Sequence, residues 1–221
     1  MFTKVLIAED FDSINIALIQ TLENMGVKEI EHAKYCDDAL LKAKKAIQDK
    51  APFDLLISDL SFETDYRTVS LKSGEELIAA IRKIQPEIPV LVYTVEDKTF
   101  VIKSLVEDVK INAFVHKGRN SISQLKTAME TILFGGNFIS QNLAHALKDT
   151  NFNEIEDYDV EILSHLAKGV TIEEMEQLFK LKDIKPNSKS YIEKRVSKLK
   201  DIFKAKTTIH LISLSKDLGI I

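Results

Sequence analysis

Between residues 5 and 116 five short strand-like runs, VLIA, VKEIEHA, FDLLIS, IPVLVYT and INAFVH, alternate with stretches of helical spacing. This alternation is the tightest constraint on the fold, because parallel strands need crossovers and right-handed helical crossovers cover both faces of the sheet they join. FDLLIS is apolar almost throughout, as a strand buried on both faces should be. Helices are expected over 13–25, 37–49, 73–84, 97–106 and 121–134. In the first, Ile16, Ile19, Leu22 and Met25 recur at spacings of three, Asp12 is placed to cap the start and Gly26 to end it. Pro86 stops the third. The pattern predicts a doubly wound five-stranded parallel sheet over 1–134.

The residues that close the runs carry the chemistry. Glu9 and Asp10 follow KVLIA, Asp59 follows DLLIS, Thr94 ends VLVYT and Lys117 follows INAFVH. In such a sheet the carboxyl ends of the strands converge on one crevice, so an acid pair, a further Asp and a Lys can meet there and hold Mg²⁺ and a phosphoryl group. Singly, each residue has an ordinary reading. Glu9 and Asp10 could open a surface loop near a helix N-terminus, Thr94 could cap a strand end, Lys117 could be a solvated charge and Phe114 a core ring. Their joint occurrence at successive strand ends is what points to a site. The five histidines lack metal-ligand spacing, and neither GxxxxGK nor GxGxxG occurs, so a nucleotide-cradling loop is not expected.

After Phe134 the pattern changes. Gly135-Gly136 breaks the helix, a short helix is expected over 141–148, and DTNFNEIEDYD is polar and acidic, so 135–153 is read as a linker. Residues 154–221 show helices only, expected over 157–168, 171–179, 187–204 and 207–218. The overall net charge of −4 conceals a sharp separation. Residues 151–179 hold eight acids against Lys168, a net of −7, and residues 180–206 hold ten bases against three acids, a net of +7. On the helix at 187–204, Ile192, Val196, Leu199 and Phe203 define a buried stripe. The opposite side carries Asn187, Ser190, Lys194, Ser197 and Lys198, small polar residues and lysines suited to base edges and phosphates in a major groove. The same lysines could simply solvate an exposed face. No run approaches the roughly 18 apolar residues of a membrane span, and MFTKVLIAEDFDS lacks a cleavage site, so a cytoplasmic location is expected. The single cysteine, Cys36, is expected to be a small, partly buried residue.

With these residues in hand, 1–134 resembles the flavodoxin-like receiver domain of two-component response regulators, on Glu9-Asp10, Asp59, Thr94, Phe114 and Lys117 in order at the strand ends. Residues 154–221 resemble the LuxR-type (NarL/FixJ-like) helix-turn-helix output domain, a smaller all-α unit, on GVTIEEMEQLFKL, SYIEKRVSKLKDIF and TTIHLISLSKDLGII. The resemblance implies that Asp59 accepts a phosphoryl group from a sensor histidine kinase or a small acyl phosphate. It implies that Glu9, Asp10, Asp59 and the backbone carbonyl of Ser61 hold Mg²⁺, that Lys117 and Thr94 contact phosphoryl oxygens, and that Phe114 follows Thr94 inward as a switch. It further implies a homodimer when phosphorylated, with Lys189, Ser190, Lys194, Ser197 and Lys198 toward a DNA groove and Lys204 and Lys206 near phosphates. Such a protein is a regulator and not an enzyme.

The sequence also departs from the family. LSFETDYRTVSLKSGEEL replaces the shorter loop in which a Met-Pro pair follows the phosphoacceptor, and Ile172, Glu173 and Glu174 stand where an Asn-Lys pair usually lies near phosphate. Glu173, Glu174 and Glu176 would repel a DNA backbone. A regulator whose helical domain binds a protein is therefore a second reading. A Mg²⁺-dependent phosphohydrolase is a third, disfavoured because no further general acid or base accompanies the set.

Overall fold

The computed structural model describes residues 1–63, 65–141, 143–144 and 154–221. The chain divides into two compact units, Met1–Asp97 with Ile102–His145, and Lys98–Val101 with Ala146–Ile221. The helix expected over 141–148 and the linker's end lie largely outside the described residues.

The first unit alternates strands and helices: β1 (Lys4–Ala8), α1 (Asp12–Asn24), β2 (Glu29–Ala33), α2 (Cys36–Gln48), β3 (Leu55–Ser58), α3 (Gly74–Ile84), β4 (Val90–Thr94), α4 (Thr99–Glu107), β5 (Ala113–His116), α5 (Ser121–Leu133) and β6 (Phe138–Ile139). All strand pairs are parallel, in the order β2-β1-β3-β4-β5-β6. The sheet thus has one strand more than the five expected. β6 is only two residues long and follows a Gly-Gly turn, too short for any periodicity, and its ladder to β5 is what makes it a strand: Phe138 N–H donates to Asn112 C=O at 3.0 Å and Ser140 N–H to Phe114 C=O at 2.9 Å.

The strands β1, β3, β4 and β5 are almost entirely apolar because both faces are covered, whereas the edge strand β2, EIEHA, is mixed. Val5, Ile7, Leu55, Ile57, Leu91, Tyr93, Ala113 and Val115 point to one face and pack with Leu18 and Leu22 of α1 and Leu125, Ala128, Met129 and Ile132 of α5. Strand alternation turns Leu6, Leu56, Val90, Val92 and Phe114 to the other face, all wholly buried. Asp12 does not cap α1. The helix starts at Asp12 with Phe11 in the cap position and no side-chain cap bond, and the Asp12 carboxylate instead pairs with Lys34 Nζ at 2.7 Å. Gly26 ends the helix as expected, at φ +83°. Cys36 is fully rather than partly buried, at 2% exposure.

The second unit contains α6 (Asp157–Ala167), α7 (Ile172–Leu181), α8 (Lys189–Ile202) and α9 (Thr208–Asp217), and among its described residues no strand. Its core gathers Ile162, Leu163, Met175, Phe179, Ile192, Val196, Leu199, Leu211 and Ile220. Phe179 sits at the centre, edge to face with Tyr158 at 5.6 Å and with His165 at 5.7 Å. Thr171 and Glu174 close a capping box on α7, each side chain satisfying the other's backbone N–H. No helix among the described residues is long and apolar enough to cross a membrane.

Candidate functional site

The order β2-β1-β3 places the ends of β1 and β3 side by side where the winding reverses, the position at which open α/β sheets leave a crevice. Register then delivers the acids. Ala8 pairs with Ser58, so Glu9 and Asp59 leave their strands at the same level, and Asp59 N–H donates to Ala8 C=O at 2.9 Å. Across β4, Thr94 pairs with His116, and Lys117 N–H donates to Thr94 C=O at 2.6 Å.

The side chains converge as the sequence predicts. Lys117 Nζ lies 2.5 Å from Asp59 Oδ2 and 2.7 Å from Glu9 Oε2. The other oxygen of Asp59 accepts the N–H groups of Leu60 at 2.6 Å and Ser61 at 3.3 Å, so this carboxylate is fixed at both ends. Glu9 Oε1 accepts Phe11 N–H at 3.2 Å, and His32 Nε2 donates to the Glu9 carbonyl at 2.8 Å. Burial pushes the Glu9 carboxyl above its ordinary range, with the Lys117 hydrogen bond opposing it. For Lys117, burial alone would favour the neutral amine, but the bonds to Asp59 and Glu9 outweigh it and hold the ammonium charged.

Glu9, Asp10 and Asp59 each offer a carboxylate oxygen within 4.8 Å of the others. Asp10 supplies the decisive detail: its Oδ2 accepts Glu63 N–H at 2.7 Å, but its Oδ1 is buried with no hydrogen-bond partner. An orphaned, buried carboxylate oxygen beside two other acids is the arrangement a hard divalent cation satisfies. Thr94 is wholly buried at the neighbouring strand end, its Oγ1 accepting Glu96 N–H at 3.3 Å. Phe114 is also wholly buried. The ring that the resemblance implies would move inward thus lies already inside the core.

In the second unit, Ser190, Lys194, Ser197 and Lys198 are all exposed on α8, as are Lys204 and Lys206 beyond its end. Lys189 is half-buried and differs from the rest, because it forms an ion pair with Glu173 of α7 and lies 3.9 Å from Glu193. Lys198 is 3.4 Å from Glu154. The acids expected to repel a polyanion are each engaged locally: Glu173 by Lys189, Glu174 by the Thr171 cap, and Glu176 by Lys180 at 2.7 Å.

Residues 5–130 match the response regulator receiver domain. The chain belongs to that family. The receiver and the helical unit together are similar in fold to a structure of two RcsB dimers bound to two parallel DNAs, at 20% identity and a TM-score of 0.66, with 98% of each chain covered. RcsB from Salmonella enterica serovar Typhimurium bound to promoter P1flhDC in the presence of phosphomimetic BeF₃⁻ aligns over 98% of each chain, at 18% identity and a TM-score of 0.64. The isolated REC domain of that RcsB covers 66% of this chain at 22% identity, with a TM-score of 0.52. No curated protein matches the chain.

Two contributions to the site were not legible in sequence. One is the Glu63 N–H on Asp10, a backbone group no residue type announces. The other is Gly74, where a Cβ would fall on the Asp59 carbonyl oxygen, so α3 can begin beside the receiver's central acid only without a side chain. In the helical unit the duty of Arg195 is equally illegible from its residue type. This arginine stands among the lysines of α8 but points inward, its Nη2 at 2.5 Å from Asp159 Oδ2 and its Nε on Oδ1 of the same residue.

Proposed function

We propose that this protein is a phosphorylation-controlled response regulator in which Asp59 is the phosphoacceptor and the helical unit binds DNA. The observation that carries the reading is the strand-end cluster of Glu9, Asp10 and Asp59, with the Lys117 ammonium 2.5 Å from Asp59, in a chain of the receiver family. A carboxylate oxygen of Asp59 attacks phosphorus. The bond from phosphorus to the donor's imidazole nitrogen, or to the acyl oxygen of a small acyl phosphate, breaks with its electron pair leaving on the donor.

Glu9, Asp10, Asp59 and the Ser61 carbonyl would hold Mg²⁺, and the orphaned Asp10 Oδ1 supports that fit. The cation would neutralise phosphoryl charge as the transfer proceeds. The chain's own groups do the rest. Leu60 and Ser61 N–H orient the Asp59 carboxylate, Lys117 moves from it to a phosphoryl oxygen, and the Thr94 hydroxyl donates to another. The added charge biases the receiver between two states only by as much as it interacts differently with each. Phe114 responds to Thr94 by shifting within the core, and a sensor histidine kinase is the expected donor.

DNA contact is read from the exposed face of α8. Ser190, Lys194, Ser197 and Lys198 face the groove and Lys204 and Lys206 face phosphates, while Lys189 serves mainly to tether α8 to Glu173. Pairing of Glu173 with Lys189 and of Glu176 with Lys180 weakens the main objection to a nucleic-acid partner, while Glu174, held by the neutral Thr171 cap, keeps its charge. The RcsB complexes with DNA, whose fold this chain shares, support the same reading and a dimeric bound form.

Incubation with acetyl phosphate and Mg²⁺, followed by intact mass measurement, should add one phosphoryl group to the wild-type chain and none to Asp59→Asn. Equal labelling of the two would refute the assignment. Binding to promoter fragments should weaken steeply between low and moderate salt and fall in Lys194→Ala/Lys198→Ala. Binding unchanged by both substitutions would point instead to a protein partner for the helical unit.

A further inference from the structure

The chain leaves Asp59 on a long excursion whose ends meet: Gly74 N–H returns to Leu60 C=O at 2.9 Å and Ser61 bridges Ser73. Its described residues are tied to the first turn of α2 and the residue before it. Tyr35 Oη donates to Asp65 at 2.6 Å, and the Arg67 guanidinium forks onto both oxygens of Asp38 at 2.9 Å while lying 4.4 Å from the Tyr35 ring centre. Ser70 and Leu71 N–H both donate to Asp37, at 2.7 and 3.1 Å. An isolated surface ion pair contributes little, but anchors made together share one ordering cost. Leu60 and Ser61, at its start, bond Asp59 itself; beyond them only Glu63 N–H, among the described residues of this strap, bonds to the acidic cluster, and it takes one oxygen of Asp10 while the other stays buried and unpartnered.

We propose that the docked strap is a positioning device for Asp10, holding the carboxylate so that its free oxygen serves a divalent cation, and that strap docking and cation binding are thermodynamically linked. The inference rests on the reading of Glu9, Asp10 and Asp59 as Mg²⁺ ligands. Tyr35, Asp38, Asp65 and Arg67 bond to one another rather than to Glu9, Asp10 or Asp59; they act through Glu63. Linkage is reciprocal, so Mg²⁺ must stabilise the docked strap as much as docking strengthens Mg²⁺ binding.

The test uses the full chain, MgCl₂ as the probe and two variants. Tyr35→Phe/Asp38→Ala removes the side-chain anchors of Asp65 and Arg67, the ones nearest Glu63 in the chain, and Glu63→Pro removes the N–H donor itself. Calorimetric titration should show Mg²⁺ affinity falling about tenfold in both, the usual scale for groups that orient a metal ligand. Mg²⁺ should also slow tryptic cleavage after Arg67 in the wild type and not in Tyr35→Phe/Asp38→Ala. Circular dichroism confirms that each variant is folded. Wild-type Mg²⁺ affinity in both variants, or cleavage after Arg67 indifferent to Mg²⁺ in a wild type that binds it, overturns the linkage and leaves the cation site standing. A wild type that binds no Mg²⁺ overturns the cation reading and the linkage with it.

Discussion

Lys194 and Arg195 are adjacent bases on one helix, one exposed and one turned inward, and the proposed function gives them opposite duties that substitution can separate. Arg195 has a side chain 12% exposed and forks onto Asp159, whose side chain is 0% exposed; its Nη2 also donates to Glu154 C=O at 3.2 Å. Removing one partner of a buried pair costs about 3–5 kcal/mol, because the other charge is left unpaired in a dry site. Glu156 N–H remains on Asp159 at 2.9 Å in Arg195→Ala, which places the loss at the lower end, about 3 kcal/mol. A unit of this size gains only about 3–10 kcal/mol in total from folding, and each kcal/mol shifts its midpoint by about 4–8 °C. The transition of the helical unit, followed by calorimetry on the full chain, should therefore fall by about 12 °C or more, or vanish. Lys194 is exposed and has no acidic partner among the described residues, so Lys194→Ala should stay within about 0.5 kcal/mol of wild type and lose DNA affinity instead. Fluorescence anisotropy with a labelled promoter fragment reads the second quantity. A midpoint lowered by less than about 4 °C in Arg195→Ala would refute the assignment of Arg195 to the fold.

Phe179→Ala should destabilise the same unit by about 3–5 kcal/mol, since it empties the centre of the core against Tyr158 and His165; a urea titration showing under about 1 kcal/mol would contradict that packing. Gly74→Ala should abolish phosphorylation of Asp59 by acetyl phosphate, because its Cβ displaces the Asp59 backbone, and labelling at the wild-type rate would exclude so close an approach. Burial, reinforced by the charges of Asp37, Glu76 and Asp10, pushes the Cys36 thiol from 9.0 up to about 12. Its thiolate fraction at pH 8 is then about a thousandfold below that of the unfolded chain, and iodoacetamide should label it correspondingly slowly by mass spectrometry. The sign follows from the raised value: the neutral thiol's contribution to stability is complete below the unfolded thiol's pKa and is lost as pH rises toward 12. Labelling as fast as in denaturant would refute the burial.

Most of the first unit was legible because each element carried its own signal over enough residues. FDLLIS and IPVLVYT read as strands from apolar runs, and the helices from spacing; their observed ends differ by a residue or two where caps decide the boundary. Asp12 shows why caps resist such reading. Its carboxylate could cap α1 or pair with Lys34, and only the folded position of Lys34 decides. The strand-end side chains Glu9, Asp10, Asp59, Thr94 and Lys117 were legible for a different reason: parallel register brings residues from distant parts of the chain to one level, so their positions along the sequence become positions around a crevice. What escaped were groups whose role lies in the backbone or in direction. Glu63 acts through its N–H, Gly74 through a missing side chain, and Arg195 points inward from a helix whose neighbouring lysines point out. In the helical unit, charge composition alone placed attractive and repulsive residues side by side, and only the pairing of Glu173 with Lys189 and Glu176 with Lys180 shows that the acids are engaged locally while Lys194 stays free of an acidic partner among the described residues. A basic surface is thus a property of which charges are left unpaired after folding, and that remainder, not the net charge of −4, is what a phosphate backbone would meet.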